Sequence, residues 1–104
     1  MIFGLDNKTI SGIKNVFAKY PKIEKVIIYG SRALGNYKLN SDIDLAVVGN
    51  LQWDFIGHLL EELDFLSTPY LYDVTDYNRI TIPELKKHID ECGKIFYETK
   101  KQKP

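Results

Sequence analysis

Asp42 and Asp44 open the run Asp42-Ile43-Asp44-Leu45-Ala46-Val47-Val48, which is otherwise apolar. Side chains alternate along a strand, so the two carboxylates point the same way with Cα atoms about 7 Å apart. Asp73 is a third acid among strand-like residues, in Tyr70-Leu71-Tyr72-Asp73-Val74-Thr75. If the two strands are neighbours, the three carboxylates converge. Clustered carboxylates repel one another and bind protons more tightly. A hard divalent cation relieves that repulsion, and carboxylate oxygens with open positions for water suit Mg²⁺ or Mn²⁺. No His or Cys lies close to the pair in sequence, so zinc is not indicated. The plainer alternative makes Asp42 a turn residue beside Ser41, Asp44 a solvated side chain and Asp73 a strand-edge charge.

A second element weighs against that alternative. Gly30-Ser31-Arg32 directly follows the strand-like Lys25-Val26-Ile27-Ile28-Tyr29. Glycine permits close approach of a ligand or of another backbone segment. Ser31 offers a hydroxyl and an N–H to a phosphate at the start of a helical turn. Arg32 either adds charge to a phosphate site or braces the loop. The segment Arg32 to Ser41 then connects this turn to the aspartate pair. Taken alone, the turn reads better as a simple end to a strand.

The elements that position these residues follow from hydrophobic periodicity. Ile10, Ile13, Phe17 and Tyr20 form a helical stripe that stops at Pro21. Residues 25–29 are β-branched and aromatic, a strand ended by Gly30. Residues 31–41 form a loop with one short helical turn. Residues 42–48 are apolar on both faces beyond Asp44, which marks a central strand covered on both sides. Apolar residues at 55, 56, 59, 60, 63 and 66 give a long amphipathic helix within 51–66. Residues 70–75 form a third strand. Pro83 begins a last helix carrying Leu85, Ile89, Cys92 and Phe96 along one stripe. The expected fold is α/β (α+β) in the order α-β-β-α-β-α, with three core strands or four. Strands 25–29 and 42–48 should be antiparallel neighbours, because a loop without a crossover helix joins them. His58 and His88 read as ordinary surface or packing residues, and Tyr37 as a possible platform for a base.

The 104 residues correspond to one domain, 1–104, with a core of about 7–98 and a frayed basic tail at 99–104. The 14 basic and 14 acidic residues balance, so a strongly basic nucleic-acid-binding surface is not expected. The lone Cys92 has no internal disulfide partner, and no apolar run is long enough for a membrane span. The first residues lack the pattern of a signal peptide. These features lead to the expectation of a soluble, cytoplasmic protein.

The stretch Tyr29-Gly30-Ser31-Arg32-Ala33-Leu34-Gly35, followed by Asn40-Ser41-Asp42-Ile43-Asp44-Leu45, resembles the signature of the DNA polymerase beta-like nucleotidyltransferase superfamily. It looks most like the minimal nucleotidyltransferases, small single domains of bacteria and archaea, and the likeness runs from about residue 7 to residue 98. The resemblance implies a small mixed sheet packed with helices. It implies two ions, Mg²⁺ or Mn²⁺, held by Asp42, Asp44 and Asp73 as both metal ligands and catalytic residues. It further implies that Gly30, Ser31 and Arg32 hold the nucleotide. Asp76 competes for the third acidic position. Asp73 is preferred because it follows aromatic strand residues and leads into Val74, whereas Asp76 falls where the strand should end. The reaction implied is nucleotidyl transfer, AMP from ATP onto an acceptor hydroxyl, with pyrophosphate released. Minimal nucleotidyltransferases also resemble antitoxins paired with HEPN-domain toxins, which implies a tyrosine of such a partner as acceptor. Two alternatives remain open at this stage. One is a non-catalytic antitoxin that covers its partner, and the other is a nucleotidyltransferase acting on a small molecule such as an antibiotic.

Overall fold

Residues 23–29 combine Ile, Val and Tyr in the alternation of a strand with two buried faces, and they sit in the middle of the sheet. In the computed structural model, which describes residues 2–99, this strand, β1 (Ile23–Tyr29), pairs antiparallel with β2 (Ile43–Gly49). That is the pairing expected from the loop between them. Within that loop, α2 (Ser31–Leu34) supplies a single helical turn, closed by Gly35 in the left-handed conformation at φ 88°.

The other elements cover the two faces. The first helix, α1 (Asn7–Ala18), is capped by Asp6, whose carboxylate accepts from the Thr9 N–H at 2.8 Å. The helix α3 (Phe55–Asp64) crosses over from β2 to β3 (Tyr72–Asp76), and that crossover lets β3 run parallel to β2. Ile13, Phe17, Leu59 and Leu63 of α1 and α3 pack with Val26, Ile28, Ile43, Leu45 and Val47 on one face of the sheet. The last helix, α4 (Pro83–Cys92), covers part of the other face, where Ile89 and Leu85 meet Tyr29, Ala46 and Ile27. Both faces of β2 are therefore covered beyond Asp44, as its unbroken apolar run requires.

One expectation is corrected. The helical stripe ending at Phe96 stops early, at Cys92, and Lys94–Glu98 form a fourth strand, β4, antiparallel to β1. The sheet order is β3-β2-β1-β4. Gly93 makes the break. Its backbone is extended (φ −70°, ψ 156°), and a Cβ there would collide with Cγ2 of Ile27. The chain can then turn back against β1 and satisfy that strand's second edge, which would otherwise be unpaired. Phe96 still reaches the core, but from a strand, with its ring edge-on to Phe17 at 6.3 Å and 85°. Thr99, expected to fray, donates its N–H to the Glu24 carbonyl at 3.0 Å. The rest of the expected tail, 100–104, lies outside the described residues. No helix among the described residues is long and apolar enough to cross a membrane.

Candidate active site

The strand register brings the acidic residues together. Tyr29 on β1 is the partner of Asp44, and Asp44 is in turn the in-register partner of Asp73 on β3. In-register partners share a face, so Asp44 stands between Tyr29 and Asp73 on the face that α4 partly covers. Asp42 directly precedes β2 and is exposed. The half-buried Asp44 carboxyl is pushed up from 3.8 to about 6, first by burial and then by the charges of Asp73 and Asp42, with Arg32 and His88 opposing the rise. Tyr29 feels the same cluster. Burial raises its phenol, a hydrogen bond to Thr75 opposes this, and the Asp73 and Asp44 charges add to the rise.

Asp76 belongs to a different environment. It pairs with Val47, an odd number of positions from Asp44, so it faces away from the cluster. Its carboxylate accepts from the Asn78 N–H at 3.1 Å and pairs with Arg79 at 3.4 Å. These contacts shape the 3-10 turn Tyr77–Arg79 that follows β3.

Gly30 is where the turn into α2 meets the carboxylates. Its backbone lies at φ 73°, ψ −154°, a region essentially restricted to glycine. A Cβ at this position would collide with Oδ2 of Asp44. Its carbonyl accepts from the Leu34 N–H at 3.1 Å, and its N–H donates to Nε2 of His88 at 3.3 Å. With that N–H engaged, the contribution of Gly30 is its missing side chain. Ser31, the first residue of α2 and half-buried, is left as the polar residue of the turn.

Of the two roles open to Arg32, the geometry is that of the brace. The side chain is 2% exposed. Its guanidinium donates to the carbonyls of Phe3 at 2.9 Å, Leu39 at 3.3 Å and Ser41 at 2.9 Å, with Nε also reaching Ser41 at 3.2 Å. The guanidinium lies over the rings of Tyr70 at 4.8 Å and Tyr37 at 5.2 Å. A buried fork that satisfies three carbonyls ties the loop from α2 to β2 onto the N-terminal turn. Tyr37 is held against Arg32 and Gly4.

His88 is the residue that sequence reasoning passed over. From the inner side of α4 it reaches Gly30, and its ring meets that of Tyr29 edge-on at 6.1 Å and 79°. The one signal available was its place in the stripe Leu85, His88, Ile89, Cys92, where a polar residue interrupts an apolar face.

The donor set fits a hard cation. Asp44 and Asp73 supply adjacent carboxylates and Asp42 adds a third charge; the Asp44 carboxyl is raised first by burial and then by repulsion from Asp73 and Asp42, and a cation would relieve the second of these. Among the described residues, no group of three His, Cys, Asp or Glu side chains is placed to hold a metal ion by itself. Mg²⁺ suits such an open arrangement, because it is commonly held by one or two carboxylates with substrate phosphates and water completing its shell.

Comparison with known proteins gives concordant results. The family model described as "Polymerase beta, Nucleotidyltransferase" matches residues 11–102. A curated relative, the "Putative protein adenylyltransferase MJ0604" of Methanocaldococcus jannaschii, is 40% identical over 42 residues, which is 40% of this chain and 42% of that protein. The aligned part therefore spans less than half of that relative. Among solved structures, a toxin–antitoxin complex with AMP-PNP superposes with TM-score 0.70 at 23% identity, over 92% of this chain and 76% of that one. The complex of a tri-AMPylated Shewanella oneidensis HEPN toxin with MNT antitoxin gives TM-score 0.67 at 19% identity, over 91% and 74% of the two chains. At these identities the superpositions establish the fold.

Proposed function

The chain belongs to the polymerase beta nucleotidyltransferase family, and we propose that it moves AMP from ATP onto a tyrosine hydroxyl of a HEPN-domain partner and thereby acts as an antitoxin. The observation that carries this reading is the Asp44–Asp73 register beside the Gly30 turn, where Asp44 fills the space that a side chain at residue 30 would need. The match to a named adenylyltransferase and the likeness to a toxin–antitoxin complex with AMP-PNP support the nucleotide and the partner class.

On this reading each residue takes a role. Ser31 offers its hydroxyl and N–H to the triphosphate at the start of α2. Gly30 keeps the turn flat against Asp44. Asp42, Asp44 and Asp73 would hold Mg²⁺ or Mn²⁺, two ions in the full arrangement. Bound there, such ions would supply charge neutralisation at the phosphates. Asp73, exposed at the cluster, accepts the proton of the acceptor hydroxyl. That oxygen forms a bond to the α-phosphorus as the bond to pyrophosphate breaks, so the products are adenylylated partner, pyrophosphate and one proton. Arg32 shapes the loop from within.

The test is incubation of the chain with Mg²⁺, ATP labelled at the α-phosphate, and the protein encoded by the neighbouring gene. Label on a tyrosine of the partner, absent with Asp44→Asn, is the expected result. Equal labelling by wild type and Asp44→Asn, or none with any nucleotide, refutes the reading.

A further inference from the structure

We propose that His88 is a positioning residue for nucleotide binding, holding the Gly30–Ser31 turn against Asp44 through the Gly30 amide. This rests on the adenylyl-transfer reading for its purpose, but the contact itself stands on the structure.

Gly30 lies in a backbone conformation that other residues rarely adopt, and such conformations persist only where surrounding contacts overdetermine them. Here the contacts come from two directions. The Gly30 carbonyl is taken by α2, through the Leu34 N–H at 3.1 Å. Its N–H is taken by α4, through Nε2 of His88 at 3.3 Å, a residue 58 positions later in the chain. Ile89 anchors the same helix in the core beneath, at 1% exposure, and Tyr29 sets the tilt of the imidazole by its edge-on contact. The consequence concerns Ser31. It follows Gly30 directly, so the direction of its N–H and hydroxyl depends on how the Gly30 peptide is held. Freed from His88, the turn loses one of its two backbone tethers, and the phosphate-facing groups lose their fixed aim.

Two substitutions separate the hydrogen bond from packing. His88→Phe retains a ring against Tyr29 but has no acceptor, whereas His88→Gln retains an acceptor at a similar reach. Amide exchange at Gly30, followed by NMR without nucleotide, should accelerate about 5- to 10-fold in His88→Phe, the effect of losing one part-buried hydrogen bond. It should stay within about twofold of wild type in His88→Gln. Affinity for a non-hydrolysable ATP analogue with Mg²⁺ should weaken by a similar factor in His88→Phe and recover in His88→Gln. In the transfer assay the change should appear in the nucleotide KM with kcat little altered, as for a contact made equally in the ground and transition states. The proposal is overturned if Gly30 exchanges in His88→Phe as in wild type, if all β1 amides accelerate equally, or if His88→Gln fails to rescue. Should wild type bind no nucleotide, the adenylyl-transfer reading falls, and the exchange measurement still decides what His88 does to the turn.

Discussion

Replacing Asp44 by Asn should make the metal-free protein more stable at neutral pH while abolishing its chemistry. The folded chain holds the Asp44 proton more tightly than the unfolded chain, with a carboxyl raised from 3.8 to about 6 by burial and by Asp73 and Asp42. The stability tied to this group is therefore complete below pH 3.8 and is lost as the pH climbs through about 6. A rise of that size corresponds to about 3 kcal/mol if taken at face value. Asp44 is half-buried, and solvent screening reduces the net to roughly 1–2 kcal/mol. Asn preserves the shape beside Gly30 and carries no charge, so it avoids this cost. For a domain of this size, roughly 1–2 kcal/mol raises the melting temperature by about 5–15 °C. Thermal melts of wild type and Asp44→Asn, with chelator present and from pH 3.5 to pH 8, provide the measurement. The gap should be widest above pH 6.5 and should close below about pH 4 as both side chains become neutral. Adding Mg²⁺ should raise the wild-type melt and leave Asp44→Asn nearly unchanged, because only the former gains a ligand. An Asn variant that melts lower than wild type at pH 7.5 in chelator, or a gap that persists unchanged to acid pH, would refute the reasoning.

Asp73→Asn should lower the rate of transfer by at least ~10²-fold, whereas Asp76→Asn should stay within about threefold of wild type, as measured by initial rates of partner labelling. Comparable losses in both would mean the third acidic position is misassigned. Gly30→Ala should cost roughly 1–3 kcal/mol in urea denaturation and remove nucleotide binding, because the added methyl collides with Asp44 in a glycine-only conformation. A variant of unchanged stability would contradict the tight approach at Gly30. Arg32→Ala should destabilise by roughly 2–4 kcal/mol, since the carbonyls of Phe3, Leu39 and Ser41 lose their donors. Arg32→Lys should recover only part of this, because one ammonium does not reproduce the planar fork. Denaturation midpoints of the two variants decide whether Arg32 is a brace or an optional charge.

Much of the fold and part of the candidate site could be read locally. The Gly30-Ser31 turn and the pair Asp42 and Asp44 are legible because strand alternation and strand-ending glycines act over a few residues. The antiparallel pairing of β1 and β2 follows from the short connection between them, and the double covering of β2 follows from its apolar run. Other features depended on distant partners. Phe96 falls four positions after Cys92 and so extends a helical stripe. Whether it lies on a helix or a strand is decided by Gly93 packing against Ile27 and by the open edge of β1, neither of which is local. Arg32 is ambiguous in sequence because a guanidinium serves phosphate and carbonyl equally well, and only folding brings Phe3, Leu39 and Ser41 around it. His88 lies 58 residues from the amide it engages, so no spacing rule reaches it. The choice of Asp73 over Asp76 illustrates the division. Both are acids on one short strand, and sequence ranks them only by their neighbours. The parallel register sets Asp73 beside Asp44 and Asp76 beside Val47. Because side chains alternate with period two, a shift of one position would turn the same strand's other face toward the cluster.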